Sequence, residues 1–232
     1  MPYKITSAKQ QTMSDDLPYR IRRSDRASRV RVSVDPHGGV EVVLPRRSPA
    51  SAAPAAIAEL RPWIERRLRE ARAVRAAIAA RGSTLPYLGS VLQLRPDASR
   101  SRVHRRGATL LVPADPDRAP QAIERWYRRA AAEEIAPRLD AAVRALDASY
   151  TSLSIRGQRT RWGSCSARGA MSFNWRLLLA PEPVLDYVVW HEACHLRVMD
   201  HSPRFWALVR QHCPDYEEHR GWLRLQGSTL VL

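Results

Sequence analysis

The chain has 232 residues, a formal net charge of +15 and 44% hydrophobic residues, enough apolar material for one compact domain or two small ones. No run of about 20 apolar residues occurs, which argues against a helical membrane span, and the polar N-terminus, with Lys4, Lys9, Asp15 and Asp16, lacks the apolar stretch of a secretory signal. Three cysteines (Cys165, Cys194, Cys213), odd in number and without CxxC spacing, argue against a disulfide framework and for packed thiols in a cytoplasmic protein.

In chain order, residues 1–17 read as a flexible tail. Arg29 to Val34 alternates charged or polar residues with valine, the period of a half-buried strand, and Val40 to Leu44 is a second one. Asp35-Pro36-His37-Gly38-Gly39 is the turn between them. A Pro/Ala/Ser-rich stretch leads into a helix over about 55–80, whose apolar stripe is Ile57, Leu60, Ile64 and Leu68 and which Gly82 closes. Further strands are expected over 87–94, 101–104 and 108–112. A second long helix follows over about 117–146, with Pro137 expected to kink or split it. Strand character returns at 152–155 and 170–173, on either side of Trp162-Gly163-Ser164. Helices over about 183–197, 203–212 and 215–225 finish the chain. Strands and helices are partly segregated, so the expected class is α+β, with no internal repeat. The expected layout is a β-rich subdomain over 18–115 and a helical, zinc-binding subdomain over 116–232, together one domain over 18–232.

The chemistry concentrates at His191-Glu192-Ala193-Cys194-His195, an HExxH signature, with His201 six residues further on; three of the seven histidines fall in these eleven residues. Imidazoles at i and i+4 project from one helix face and can share a tetrahedral zinc, with Glu192 beside a water on that metal. The blander reading is a surface helix with solvated histidines. Val184, Leu185, Tyr187, Val188, Val189 and Trp190 count against it, because a helix apolar nearly all round is buried, and histidines at its end need partners. His201 stands at the third-ligand offset of metzincins, but Val198 occupies the position where those sequences have glycine. Glu217, Glu218, His212 and His219 are the substitutes, read otherwise as a solvated helix face. Cys194 points away from its flanking histidines. Asp200 is placed to cap a turn before His201.

Arg161-Trp162-Gly163-Ser164-Cys165-Ser166, Pro181, Asp186-Tyr187-Val188-Val189-Trp190-His191-Glu192, His201-Ser202, Phe205-Trp206 and Pro214-Asp215-Tyr216 follow one another in that order. Together they resemble the YgjP-like metal-dependent hydrolases, relatives of the SprT-like zinc peptidases, over roughly residues 18–225. Ala193 and Asp200 stand where that family more often has Leu and Asn. The resemblance implies a zincin-like metallopeptidase fold, bound Zn2+, and His201 as third ligand beside His191 and His195. The substrate is left open.

Glu192 is thus the candidate general base for hydrolysis of a protein or peptide. Arg159, Arg161, Trp162, Gly163 and Ser164 are candidate substrate-binding residues, since a strand edge near the metal can bind extended peptide. The alternative is structural: the Trp packs in the core, Gly163 makes a turn and the arginines face water. Asn174 either orients a ligand or ends a strand, and Phe205 and Trp206 are core anchors. Two other functions stay open: zinc-dependent hydrolysis of a nucleotide phosphoanhydride with arginines clamping phosphates, and a non-enzymatic basic zinc module. The basic residues are almost all arginine, with lysine only at positions 4 and 9, which fits a compositional bias. Such a surface still attracts nucleic acid non-specifically.

Overall fold

The computed structural model describes residues 11–14, 17–35, 38–158 and 160–232. The chain divides into two compact units, Met1–Ala80 and Arg81–Leu232. The class is α+β, with the helices and three mixed sheets of an alternating but segregated chain. Among the described residues no helix is long and apolar enough to cross a membrane.

In the first unit, strands β1 (Gln11–Ser14), β2 (Leu17–Ser24), β3 (Arg31–Val34) and β4 (Val40–Pro45) form a sheet of order β1-β2-β4-β3. The expected hairpin is β3–β4, antiparallel, with Val34 opposite Val40. Asp35 shapes its turn: its Oδ1 accepts from the Gly39 N–H at 2.9 Å, while Pro36 and His37 lie outside the described residues. Of the stretch expected to be a tail, Gln11–Ser14 is a strand paired with β2, and residues 1–10 and 15–16 lie outside the described ones. β2 turns Leu17, Tyr19 and Ile21 to the core and Arg20 and Arg22 outward, and its ladder with β4 is parallel and long-range. Helix α1 (Ala52–Ala80) lays Ala53, Ile57 and Ile64 against Tyr19, Val40, Val42 and Leu44. Leu60 falls at the margin of that stripe, open to solvent, because one small sheet covers one side only.

The second unit opens with the same arrangement. Strands β5 (Thr84–Tyr87), β6 (Ser90–Asp97), β7 (His104–Arg106) and β8 (Thr109–Pro113) have the order β5-β6-β8-β7, and a long helix, α2 (Ala119–Ala145), follows. The registers match as well. Ser24 lies opposite Pro45 in the first parallel pair and Asp97 opposite Pro113 in the second; Arg31 lies opposite Val43, and His104 opposite Leu111. A ββββα motif therefore occurs twice. The expectation of no repeat fails because the copies share only the inward apolar alternation (Val42 and Leu44, Leu110 and Val112), while the turn before the fourth strand differs in length. The strand expected over 87–94 is broken by a tight turn at Leu88 (φ 49°) and Gly89 (φ 80°), both left-handed, held by the Leu88 N–H donating to the Leu178 carbonyl at 2.8 Å. The α2 helix runs unsplit through Pro137, since buried Ile135 and Leu139 hold both sides of it on the core.

The third sheet consists of β9 (Ser152–Arg156), β10 (Gly163–Cys165) and β11 (Ala170–Asn174), in the order β10-β11-β9. A 3-10 helix (Trp175–Leu179) leads to α3 (Glu182–Cys194), then α4 (Pro203–His212) and α5 (Tyr216–Gln226). α3 packs against α2, α4, α5 and β10. Arg138 of α2 ties its start with ion pairs to Glu182 and, at 2.9 Å, Asp186.

Candidate metal centre

The apolar half of α3 buries Val184, Leu185, Tyr187, Val188 and Val189, which fixes the helix rotation and sends His191 and Glu192 into the interior edge of the unit. The helix ends sooner than expected. Cys194 is its last residue and His195, its C-cap, is the first of three turn residues. His195 Nδ1 donates to the Val198 carbonyl at 3.1 Å, which leaves Nε2 as the free lone pair. Val198 thus serves the site through its backbone, which no glycine is needed to do. Asp200 Oδ1 accepts from the Ser202 N–H at 2.9 Å and closes the turn that delivers His201.

Ring nitrogens of His191, His195 and His201 all lie within 4.8 Å of one another and could hold a metal ion. His191 Nε2 and His201 Nε2 are 3.1 Å apart; two nitrogens bound to one tetrahedral zinc at 2.0–2.1 Å stand about 3.3 Å apart. Phe205 stacks on the His195 ring (4.4 Å between centroids, 21°), and Trp206 on His201 (5.6 Å, 30°). Burial, with His195 and His201 close by, pushes the His191 pKa down to about 3, so the ring is neutral near pH 7 and has a lone pair to offer a metal. Its Nδ1 is buried without a partner. Three imidazoles converging with no carboxylate among their hydrogen-bond partners fit a divalent transition-metal cation.

Glu192 is 6% exposed. Burial raises its pKa to about 7, against the opposing pull of the Arg161 guanidinium and the Cys165 N–H, which donates to its carboxylate. Gly163 explains how so large a side chain fits. A Cβ there would come within 2.6 Å of Glu192 Cγ and Oε1, so only glycine lets strand β10 approach. Gly163 is therefore a strand residue in close contact with the carboxylate, and the expected turn is not there.

The remaining candidates separate. Ser164 Oγ is 2.8 Å from Ser172 Oγ and belongs to the sheet. Trp162 is half-buried, and a Cβ on Gly227 would meet its ring at 2.9 Å. Arg161 is exposed, within electrostatic reach of Glu192, and Arg159 lies outside the described residues. Asn174 ends β11 and organises the preceding loop, donating to the Gln158 carbonyl (2.7 Å) and the Arg161 carbonyl (3.2 Å). Cys194 is fully buried, and burial pushes its thiol up to about 12. Of the substitute ligands, His212 stacks on Trp190 at 4.5 Å and Glu217 pairs with Arg210, so both are engaged elsewhere. His219 lies beside Tyr187, at 6.5 Å between rings, and the group of three histidines includes neither it nor Glu218.

Arg220 was not among the candidates. It stacks over Trp206 at 4.7 Å and exerts its charge on His191. Its only sequence signal was a position on the polar side of α5.

An α+β chain whose histidine trio sits at the end of a buried helix, with a carboxylate beside it, has the make-up of a metal-dependent hydrolase. The YgjP-like metallopeptidase domain matches residues 28–226, most of the chain, and the chain belongs to that family. No curated protein and no solved structure matches it.

Proposed function

We propose that the chain is a zinc-dependent peptidase in which His191, His195 and His201 hold the metal and Glu192 is the general base. The observation that carries this reading is the convergence of three imidazoles and one buried carboxylate beside an open strand edge. When bound, zinc supplies Lewis acidity, which polarises a scissile carbonyl and acidifies nearby water.

The chain's own residues do the rest. Glu192, with a pKa near 7, takes a proton from the attacking water and returns it to the leaving amine. The Cys165 N–H faces the Glu192 carboxylate and favours its ionised form. Phe205 and Trp206 keep the imidazoles in place by stacking.

Strand β10 suits an extended substrate. The Trp162 carbonyl accepts from Asn174, and the Ser166 N–H donates to Ala170, so alternate residues 162, 164 and 166 face β11. Gly163 and Cys165 consequently turn their backbone groups to the outer edge, where Glu192 takes the Cys165 N–H and the Gly163 groups and the Cys165 carbonyl are left for a peptide. A peptide paired there lies next to Glu192. The free thiols fit a reducing, cytoplasmic setting.

The test is metal analysis of the purified protein together with peptide hydrolysis by wild type and Glu192→Gln. About one zinc per chain in both proteins, with cleavage reduced roughly 10³-fold in the variant, is expected. Equal cleavage by the two would remove Glu192 from the role of base. Pyrophosphate release from nucleoside triphosphates, with no peptide cleaved, would replace the peptidase reading.

A further inference from the structure

A cavity of about 540 Å³ opens at the N-terminal end of β10, lined among others by Gln158, Arg161, Trp162, Asn174, Arg176 and Ser228. It begins one residue before Gly163, which itself touches Glu192. Its wall is built in advance. Asn174, 2% exposed, holds the loop carrying Gln158 and Arg161 through their carbonyls. Trp162 packs on Gly227, and Arg81 fixes the opposite wall by donating to the Thr229 carbonyl at 2.6 Å and to that of Val231.

Among the described residues, two guanidinium groups line this cavity and no carboxylate does. Arg176 is oriented by stacking over Trp175 at 4.5 Å and by donating to the Gly157 carbonyl at 3.3 Å. Arg161 forms no ion pair among the described residues. Two cationic forks lining one cavity offer a carboxylate charge-assisted hydrogen bonds, and the stacking of Arg176 on Trp175 orients one of them in advance.

We propose that this cavity is the subsite for a carboxylate of the substrate, so that the enzyme cleaves peptides carrying an acidic group close to the scissile bond. The proposal rests on the peptidase reading. Two residues of strand separate Arg161 from Gly163, or roughly 7 Å, so the carboxylate belongs within about three residues of the cleaved bond. It comes either from an Asp or Glu side chain or from the peptide's own C-terminus. Both present the same bidentate acceptor to a guanidinium fork.

The experiment uses the zinc-loaded full chain and internally quenched octapeptides in which Glu or Gln is placed at each position in turn. Parallel peptides end in a free carboxylate or an amide. For wild type, kcat/KM is expected to be at least about 10-fold higher with Glu than with Gln at one position near the cleaved bond, or with the free terminus over the amide. Arg161→Gln should bring that ratio close to one, and Arg161→Lys should restore part of it. Because the readout is a ratio, any effect of Arg161 on Glu192 cancels. Peptide cleavage with a ratio near one in wild type, or a ratio unchanged by Arg161→Gln, would overturn the proposal.

If no peptide is cleaved, the peptidase reading fails separately. Calorimetric binding of a Glu-containing tetrapeptide and its Gln counterpart to zinc-loaded Glu192→Gln protein then decides about the cavity. Preference for Glu that is lost with Arg161→Gln keeps it as a carboxylate site, and equal binding discards it.

Discussion

The two ββββα copies share strand order, pairing direction and register, yet only the second supports chemistry. The difference lies in the helices. α1 buries Ala53, Ile57 and Ile64 along a single narrow stripe and finishes one sheet. α2 buries Ala122, Ile123, Trp126, Tyr127, Ala130, Ala131, Ile135, Leu139, Ala142 and Val143, a surface wide enough to pack β8 and β9, the 3-10 helix and α3. Widening a helix's apolar face turns the same motif from a closed layer into a platform. On that platform α3 is rotated so that its last turn presents His191 and Glu192.

This contrast can be broken by core truncations. Leu139→Ala and Ile64→Ala each remove a fully buried side chain and should each cost about 3 kcal/mol in denaturant unfolding. Only the first should also weaken zinc retention and hydrolysis, while Ile64→Ala leaves turnover within about twofold. Equal losses of activity would show that both copies carry the site.

The site half also stores instability that the first copy lacks. In the zinc-free protein the Glu192 pKa rises from 4.5 to about 7 on folding. A raised carboxyl pKa means that its contribution is intact below pH 4.5 and is lost as pH rises through 7. Chelated Glu192→Gln should therefore be more stable than chelated wild type at pH 8.5, by up to about 3 kcal/mol. At pH 4 the two should coincide. A gap that does not change with pH in chemical denaturation would contradict the burial argument.

A smaller effect is expected at the strand edge. Gly163→Ala places a methyl against Glu192 and should lower kcat by roughly 10- to 100-fold with zinc content and fold retained. Smallest of all, Glu41→Gln in the first sheet removes an exposed pair with Arg22 at 3.3 Å and should change stability by less than about 1 kcal/mol.

Much of the site was legible in the chain because it is local. HExxH needs only helical spacing, and the apolar run 184–190 declares its burial. The stop after Cys194 was not legible, since His195 leaves the helix to bond the Val198 carbonyl. The alternative reading of Gly163 as a turn residue fails, and nothing in sequence reveals that Glu192, 29 positions later, occupies the space of its side chain. Arg220 depends on a partner, Trp206, on another helix, so no spacing rule finds it.

The duplication illustrates the same boundary. The β3–β4 hairpin, the α1 and α2 helices, and α4 announced themselves by period and turn residues, interactions over a few positions. The parallel pairings of β2 with β4 and of β6 with β8 join segments through intervening strands, and the sequence carries no separate mark for them. By itself, then, the amino-acid order determined the class, the helices and the candidate ligand pair His191 and His195. Tertiary structure alone decided which strand lies beside Glu192, how acidic that carboxyl is, and that two arginines share one cavity. Those outcomes depend on burial and on approaches between distant segments, which exist only once the chain has closed on itself.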